Sequence, residues 1–239
     1  MTGPGRWGDR RQQRIGLLGG SFNPAHAGHR HVAEIARRAL RLDQVWLLVS
    51  PGNPLKPRAG MAPFVQRLAG AREIAESRPW LVATDLEARL GTRFTVDTLA
   101  ALHRLFPRAQ FVLLIGADNL AQLPHWRRWT ALARDTPIAV LPRPGWTRRG
   151  LSGQAALRLR RHRRPPGALL SAAQSATGGA SNHAPWCFVP AAENPQSATA
   201  IREAAATRSP RIATPPDGAE ARQRRLPSPA PPRIPRRSA

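Results

Sequence analysis

The stretch IGLLGGSFNPAHAGH, residues 15–29, joins an apolar run to a polar turn and then to the start of a helical pattern. Ile15 to Leu18 is continuous rather than alternating, which predicts a strand covered on both faces. Gly19 and Gly20 end it. From Gly28 to Arg41, Val32, Ile35, Ala36, Ala39 and Leu40 recur at helical spacing, with Arg30, Glu34, Arg37, Arg38 and Arg41 on the wet side.

The same order repeats outward from this unit. Strands are expected at 45–51, 80–85, 110–116, 137–143 and 186–190, and helices at about 62–77 and at 95–106, the latter begun by Thr95. A helical segment at 119–134 is interrupted at Pro124. Strands alternating with helices of this length imply parallel pairing through right-handed crossovers. The expected fold is therefore α/β: a Rossmann-like, doubly wound, mainly parallel sheet with helices on both faces. Residues 151–164 read as a basic helix, 165–185 as an irregular Pro, Gly, Ala and Ser-rich stretch, and 194–208 as a helix starting near Ser197. From Ser209 the chain is rich in Pro and Arg with almost no apolar periodicity. The expected organisation is one domain at 14–208 and a disordered tail at 209–239.

With 239 residues the chain is long enough for its own core, and its formal charge is +23. The excess is spread over both halves. The basic runs at 161–164 and 222–225 contain no interleaved aromatic residue, so the stacking component of a single-strand binder is missing from the tail. A basic nucleic-acid-binding protein stays as the non-enzymatic alternative. No apolar run approaches the ~20 residues of a membrane span. The basic N-terminus lacks a signal-type apolar segment, and Cys187 is the single cysteine, in an apolar run. A cytoplasmic protein is expected.

Ligands of an open α/β sheet bind at the carboxyl ends of strands, where GGSFNPAHAGH, residues 19–29, falls. Gly19 and Gly20 permit close backbone approach, and Ser21 and exposed amides can donate to phosphate oxygens. His26 and His29, three residues apart where a helix begins, can both meet an anion at its positive end. That pattern suits phosphoryl or nucleotidyl transfer. The plain alternative is a tight turn whose histidines cap or cover the helix. The string is neither a G-x-G-x-x-G fingerprint nor a P-loop, and His26, His29 and His31 lack Cys or carboxylate partners at zinc-ligand spacing. No residue is assigned to a metal.

The string resembles the HxGH motif of the nucleotidylyltransferase superfamily, and more closely that of the bacterial nicotinate-nucleotide adenylyltransferases. Matching positions are Gly19, Gly20, Ser21, Phe22, Asn23, Pro24, His26, Gly28 and His29. Further resemblances follow in order: SPGNPLKP at 50–57, GTRFTVDTL at 91–99, GADNLAQLPHWRRW at 116–129 and SATAIR at 197–202. The resemblance implies that His26 and His29 contact the ATP phosphates, that Lys56 lies near them, and that Ser197, Thr199 and Arg202 hold the β- and γ-phosphates. It places Gly116 and Asp118 at the adenosine. The mononucleotide falls to Asn23 and Lys56, with Phe94, Thr95 and Trp126 on its nicotinate side. Asn23 stands where many members have aspartate, and Gln196 where isoleucine is common.

The implied reaction is adenylyl transfer from ATP to nicotinate mononucleotide, giving nicotinate adenine dinucleotide and pyrophosphate for NAD biosynthesis. Mg²⁺ would be bound mainly through the ATP phosphates. His26 and His29 are then hydrogen-bond donors rather than proton abstractors, and a charged imidazole would help most. Another small-substrate adenylyltransferase, especially one preferring nicotinamide mononucleotide, is the enzymatic alternative.

Overall fold

The computed structural model describes Pro4 and residues 8–52, 60–176 and 183–193. Among these, β1 (Arg14–Gly20), β2 (Gln44–Val49), β3 (Leu81–Thr84), β4 (Gln110–Gly116), β5 (Ile138–Leu141) and β6 (Trp186–Phe188) form one sheet. The strand order is β3-β2-β1-β4-β5-β6 and every pairing is parallel. The chain runs outward from β1 through β2 to β3, then returns to lay β4 on the other side of β1. This reversal opens a crevice between the carboxyl ends of β1 and β4.

Alternation along the strands supplies two separate cores. Ile15 and Leu17 of β1, Trp46 and Leu48 of β2, and Phe111, Leu113 and Ile115 of β4 project to one face. Helices α3 (Leu86–Leu90), α4 (Thr95–Leu105), α5 (Ala117–Gln122), α6 (Trp129–Asp135) and α8 (Gln154–Arg158) cover it with Leu86, Leu99, Leu102, Leu120, Leu132 and Ala155. Leu18, Val45, Leu47, Val112 and Leu114 project to the other face. There α1 (Ala27–Leu40), α2 (Phe64–Ala75) and α9 (Leu169–Ala176) bring Ala33, Ala36, Leu68, Ala71 and Leu169. Fully burying a Leu or Phe contributes about 1.5–3 kcal/mol, so the apolar runs are apolar because both sides are covered. Cys187 lies in this second core, and burial pushes its thiol up to about 12. Among the described residues no helix is long and apolar enough to cross a membrane.

Several boundaries differ from the sequence reading. α4 begins at Thr95 as expected but ends at Leu105, and Phe94 occupies its N-cap position with no side-chain hydrogen bond. The segment around Pro124 does break, but into α5, a single 3-10 turn at Leu123–His125, and α6. In place of the expected basic helix at 151–164 stand α8 and a 3-10 turn at Arg160–His162, with Leu151 closing a separate short helix, α7 (Thr147–Leu151). α7 packs so closely on α5 that a Cβ at Gly150 would overlap the carbonyl oxygen of Ala117. The stretch 165–185 contains α9, held by the fully buried Leu169, where composition suggested no regular structure. The expected helix at 194–208 and the tail at 209–239 lie outside the described residues.

Gly150→Ala should force α7 away from the start of α5. Overpacking of this kind costs about 1–3 kcal/mol, to be read as a lower urea midpoint with an unchanged slope; an unaltered midpoint contradicts the close packing.

Candidate active site

The first βα turn leaves β1 at Gly20, whose carbonyl accepts the amide of Ser50 at 2.9 Å and so ties the ends of β1 and β2 together. Phe22 follows in the left-handed region, with φ of 48°. A phenylalanine in that conformation stores about 1–3 kcal/mol of strain. Its ring is buried and lies 4.8 Å from the His29 ring centre. Asn23 is engaged on both sides of its amide. Nδ2 donates to the carbonyl of Gly60 at 3.0 Å, and Oδ1 accepts from the amide of Ala62 at 3.1 Å. An aspartate here could not donate to Gly60, which gives the departure at this position a physical role.

His26 is the N-cap of α1, with extended backbone, and its Nδ1 accepts from the amide of Gly28 at 3.1 Å. His29 reaches back, and its Nδ1 accepts from the amide of His26 at 3.3 Å. This is a capping box built from two imidazoles, with ring centres 3.9 Å apart. Capping and chemistry, set against each other by the sequence, are compatible here. A ring nitrogen that accepts carries no proton, so each neutral ring bears its hydrogen on Nε2. Both rings are thereby Nε2–H donors at the positive end of a helix whose first turn holds no acidic residue. His26 is only 8% exposed. Burial, with a smaller contribution from the positive charge of Arg143, holds it below the usual histidine range. In the free protein, protonating Nδ1 of His26 would break its cap.

Across the crevice, β4 ends at Gly116 and Asp118 sits in the first turn of α5. A Cβ at Gly116 would overlap the Asp118 carboxylate and come 4.0 Å from Cβ of Arg143. Arg143, just beyond β5, thus joins the β4 end to the neighbourhood of His26. Phe94 and Thr95 start α4, and the guanidinium of Arg127 lies 4.6 Å from the Phe94 ring centre and 3.7 Å from Asp97. Trp126 is partly buried against the core of that face. Arg127 therefore brings the 94–97 and 126–127 blocks together, whereas Asn23 is turned to Gly60 and Ala62. Lys56, Ser197, Thr199 and Arg202 lie outside the described residues.

Sequence reasoning missed Arg143 and Arg67. The signal for Arg67 was present: Phe64, Leu68 and Ala71 form the apolar stripe of α2, and Arg67 falls within it. Glu87 was also missed. Burial raises its pKa despite hydrogen bonds from Ser50 and Thr98, so this carboxyl links the end of β2 to the start of α4. A groove of about 1070 Å³ runs beside β3, but its rim mixes Arg72, Arg78 and Arg89 with Glu73, Glu76 and Asp85 and holds none of the residues singled out above.

The fold and site define a nucleotide-handling α/β protein of the HxGH type. A family described as cytidylyltransferase-like matches residues 17–204. A probable nicotinate-nucleotide adenylyltransferase of Gluconobacter oxydans is 58% identical over 190 residues, covering 80% of this chain and 94% of that protein. One from Gluconacetobacter diazotrophicus is 51% identical over 205 residues, covering 86% and 92%. Among solved structures, the Plasmodium falciparum nicotinic acid mononucleotide adenylyltransferase complexed with NaAD aligns with a TM-score of 0.58. It covers 80% of this chain and 83% of that one, at 15% identity, a likeness of fold alone. The chain belongs to the cytidylyltransferase-like family and, within it, to the nicotinate-nucleotide adenylyltransferases.

The His26 cap gives a signed pH dependence. As pH falls from neutrality the unfolded chain binds the proton first, near about 6.5, while the folded site resists it. Its contribution is complete above that value and is lost as pH drops through the lower folded pKa. His26→Asn keeps an oxygen cap that does not titrate. Thermal unfolding from pH 7.5 to 5.5 should therefore fall less in this variant than in the unmodified protein; parallel curves would contradict the assignment.

Proposed function

We propose that the protein, working in the cytoplasm, transfers the adenylyl group of ATP to nicotinate mononucleotide, releasing pyrophosphate and forming nicotinate adenine dinucleotide. The observation that carries the chemistry is the imidazole capping box: two Nε2–H donors at the positive end of α1, at the point where the strand order reverses. The relatives' substrate then names the acceptor.

A phosphate oxygen of the mononucleotide attacks the α-phosphorus in line. A new P–O bond forms as the bond from that phosphorus to the bridging oxygen breaks, and the electron pair leaves with pyrophosphate. The second ionisation of a phosphate monoester lies near about 6, so the nucleophile is already anionic at neutral pH and needs no strong base. Preorganised donors suffice. His26 and His29 donate to the phosphate oxygens where negative charge grows. Arg143 adds positive charge from the β5 side. Asp118 serves the adenosine portion, and Trp126, Phe94 and Thr95 the pyridine ring. Gly19, Gly20, Ser21 and Phe22 supply backbone around the triphosphate. Asn23 contributes by anchoring the turn to residues 60–62.

Lys56, Ser197, Thr199 and Arg202 complete the phosphate site in this reading, and the catalytic unit is 14–208. Among the described residues no three His, Cys, Asp or Glu side chains converge as metal ligands. Mg²⁺ held mainly through the ATP phosphates would offset the negative charge of the leaving pyrophosphate.

His29→Ala should lower kcat at least tenfold, about 1.4 kcal/mol of transition-state stabilisation, with cooperative unfolding retained; unchanged turnover removes it from the chemistry. Initial rates of pyrophosphate release should favour the acid mononucleotide over the amide, and the reverse order overturns the substrate assignment. Truncation after Thr207 should leave these rates intact, while loss of activity would show that the tail takes part.

A further inference from the structure

Arg67 is a cation in the apolar stripe of α2, only 3% exposed. Its guanidinium faces carbonyl groups from three segments. Nε donates to Ala62 at 3.0 Å, one terminal nitrogen donates to Ser21 at 2.6 Å and to Ser50 at 2.7 Å, and the other donates to Pro51 at 3.2 Å. The same group lies 5.5 Å from the Phe64 ring centre. No carboxylate pairs with it among the described residues. A buried charge without an ion-pair partner persists only where its donors are met, and here carbonyl oxygens meet them.

The contacts fall on the β1–β2 side of the crevice. Ser21 opens the histidine turn, Ser50 and Pro51 close β2, and Ala62 leads into α2. A trans peptide is planar, with its carbonyl and amide pointing opposite ways. Fixing the Ser21 carbonyl on Arg67 therefore aims the Phe22 amide away from it, and the Pro51 carbonyl does the same for Gly52. Asn23, through Gly60 and Ala62, ties the turn to the same segment from a second direction. The planar fork satisfies these carbonyls at once, which a lysine ammonium on a flexible stem cannot reproduce.

We propose that Arg67 is a positioning residue for adenylyl transfer: it fastens the start of the first βα turn to the end of β2 and so sets the place of the His26–His29 donor pair and the direction of the turn's amides. The role rests on the function proposed above. Arg67 touches no reacting atom, and it acts through the turn that does.

The test measures pyrophosphate release by the full chain with Arg67→Lys, Arg67→Gln, His29→Ala and the double variant Arg67→Lys/His29→Ala, alongside thermal unfolding. Arg67→Lys should lower kcat by about tenfold or more, with the KM for nicotinate mononucleotide changed by less than about threefold. Because part of the Arg67→Lys effect acts through His29, adding it to His29→Ala should slow turnover by a smaller factor than it does in the unmodified enzyme. A purely structural residue would instead give effects that multiply. Turnover of Arg67→Lys within about twofold of the unmodified enzyme, multiplicative effects, or a raised KM at constant kcat would each overturn the role. If neither Arg67→Lys nor Arg67→Gln unfolds cooperatively, Arg67 is a folding determinant and the positioning role is rejected. Absence of pyrophosphate from the unmodified chain would sink the functional reading and this role with it, whereas normal release there with unaffected variants sinks this role alone.

Discussion

Two backbone amides at the start of α1 end on ring nitrogens rather than on water. The amide of Gly28 is accepted by Nδ1 of His26, and the amide of His26 by Nδ1 of His29. An α-helix must satisfy its first amides somewhere, and most do so with a Ser, Thr, Asp or Asn oxygen. Spending imidazoles on the task fixes the orientation of both rings and selects the tautomer. An aspartate cap would stabilise α1 equally well, but an ionised carboxylate has no hydrogen to offer an anion. The cap thus serves the helix and prepares the donors in one arrangement, and the buried Phe22 ring beside His29 supports it from within.

The sheet brings that arrangement to the right place. β1 lies between β2 and β4, so its carboxyl end borders both halves of the doubly wound layout. The turn after β1 is pinned laterally by Ser50 to Gly20 and by Arg67 to Ser21 and Pro51. On the other flank, the Asp118 carboxylate covers the backbone of Gly116, and Arg143 lies close to both Gly116 and His26. The charge of +23, which at first suggests nucleic acid, includes two arginines engaged around this crevice, Arg67 buried on its β1–β2 side and Arg143 beyond β5.

Long apolar runs with one period made most of the fold legible. Leu17, Val45, Val112 and Val140 read as doubly covered strands because they are, and the alternation with amphipathic α1 and α4 dictated parallel pairing. What stayed hidden was decided by contacts distant in sequence. α9 depends on burial of Leu169, and the close seat of α7 on α5 depends on Ala117 meeting Gly150. The site shows the same division. His26 and His29 stood out in the local string after β1, and Gly116, Asp118, Phe94 and Trp126 were named through the family resemblance. Arg67 required knowing that three separate segments would present their carbonyls to α2, and Arg143 that β5 would end beside β4.

Everything catalytic in this account depends on the protonation pattern of the two rings, which nitrogen NMR of histidine-labelled protein reads directly. At neutral pH both His26 and His29 should appear as neutral Nε2–H tautomers, with Nε2 the nitrogen whose resonance moves on adding ATP. An Nδ1–H tautomer or a doubly protonated ring at either position in the free protein would contradict the account.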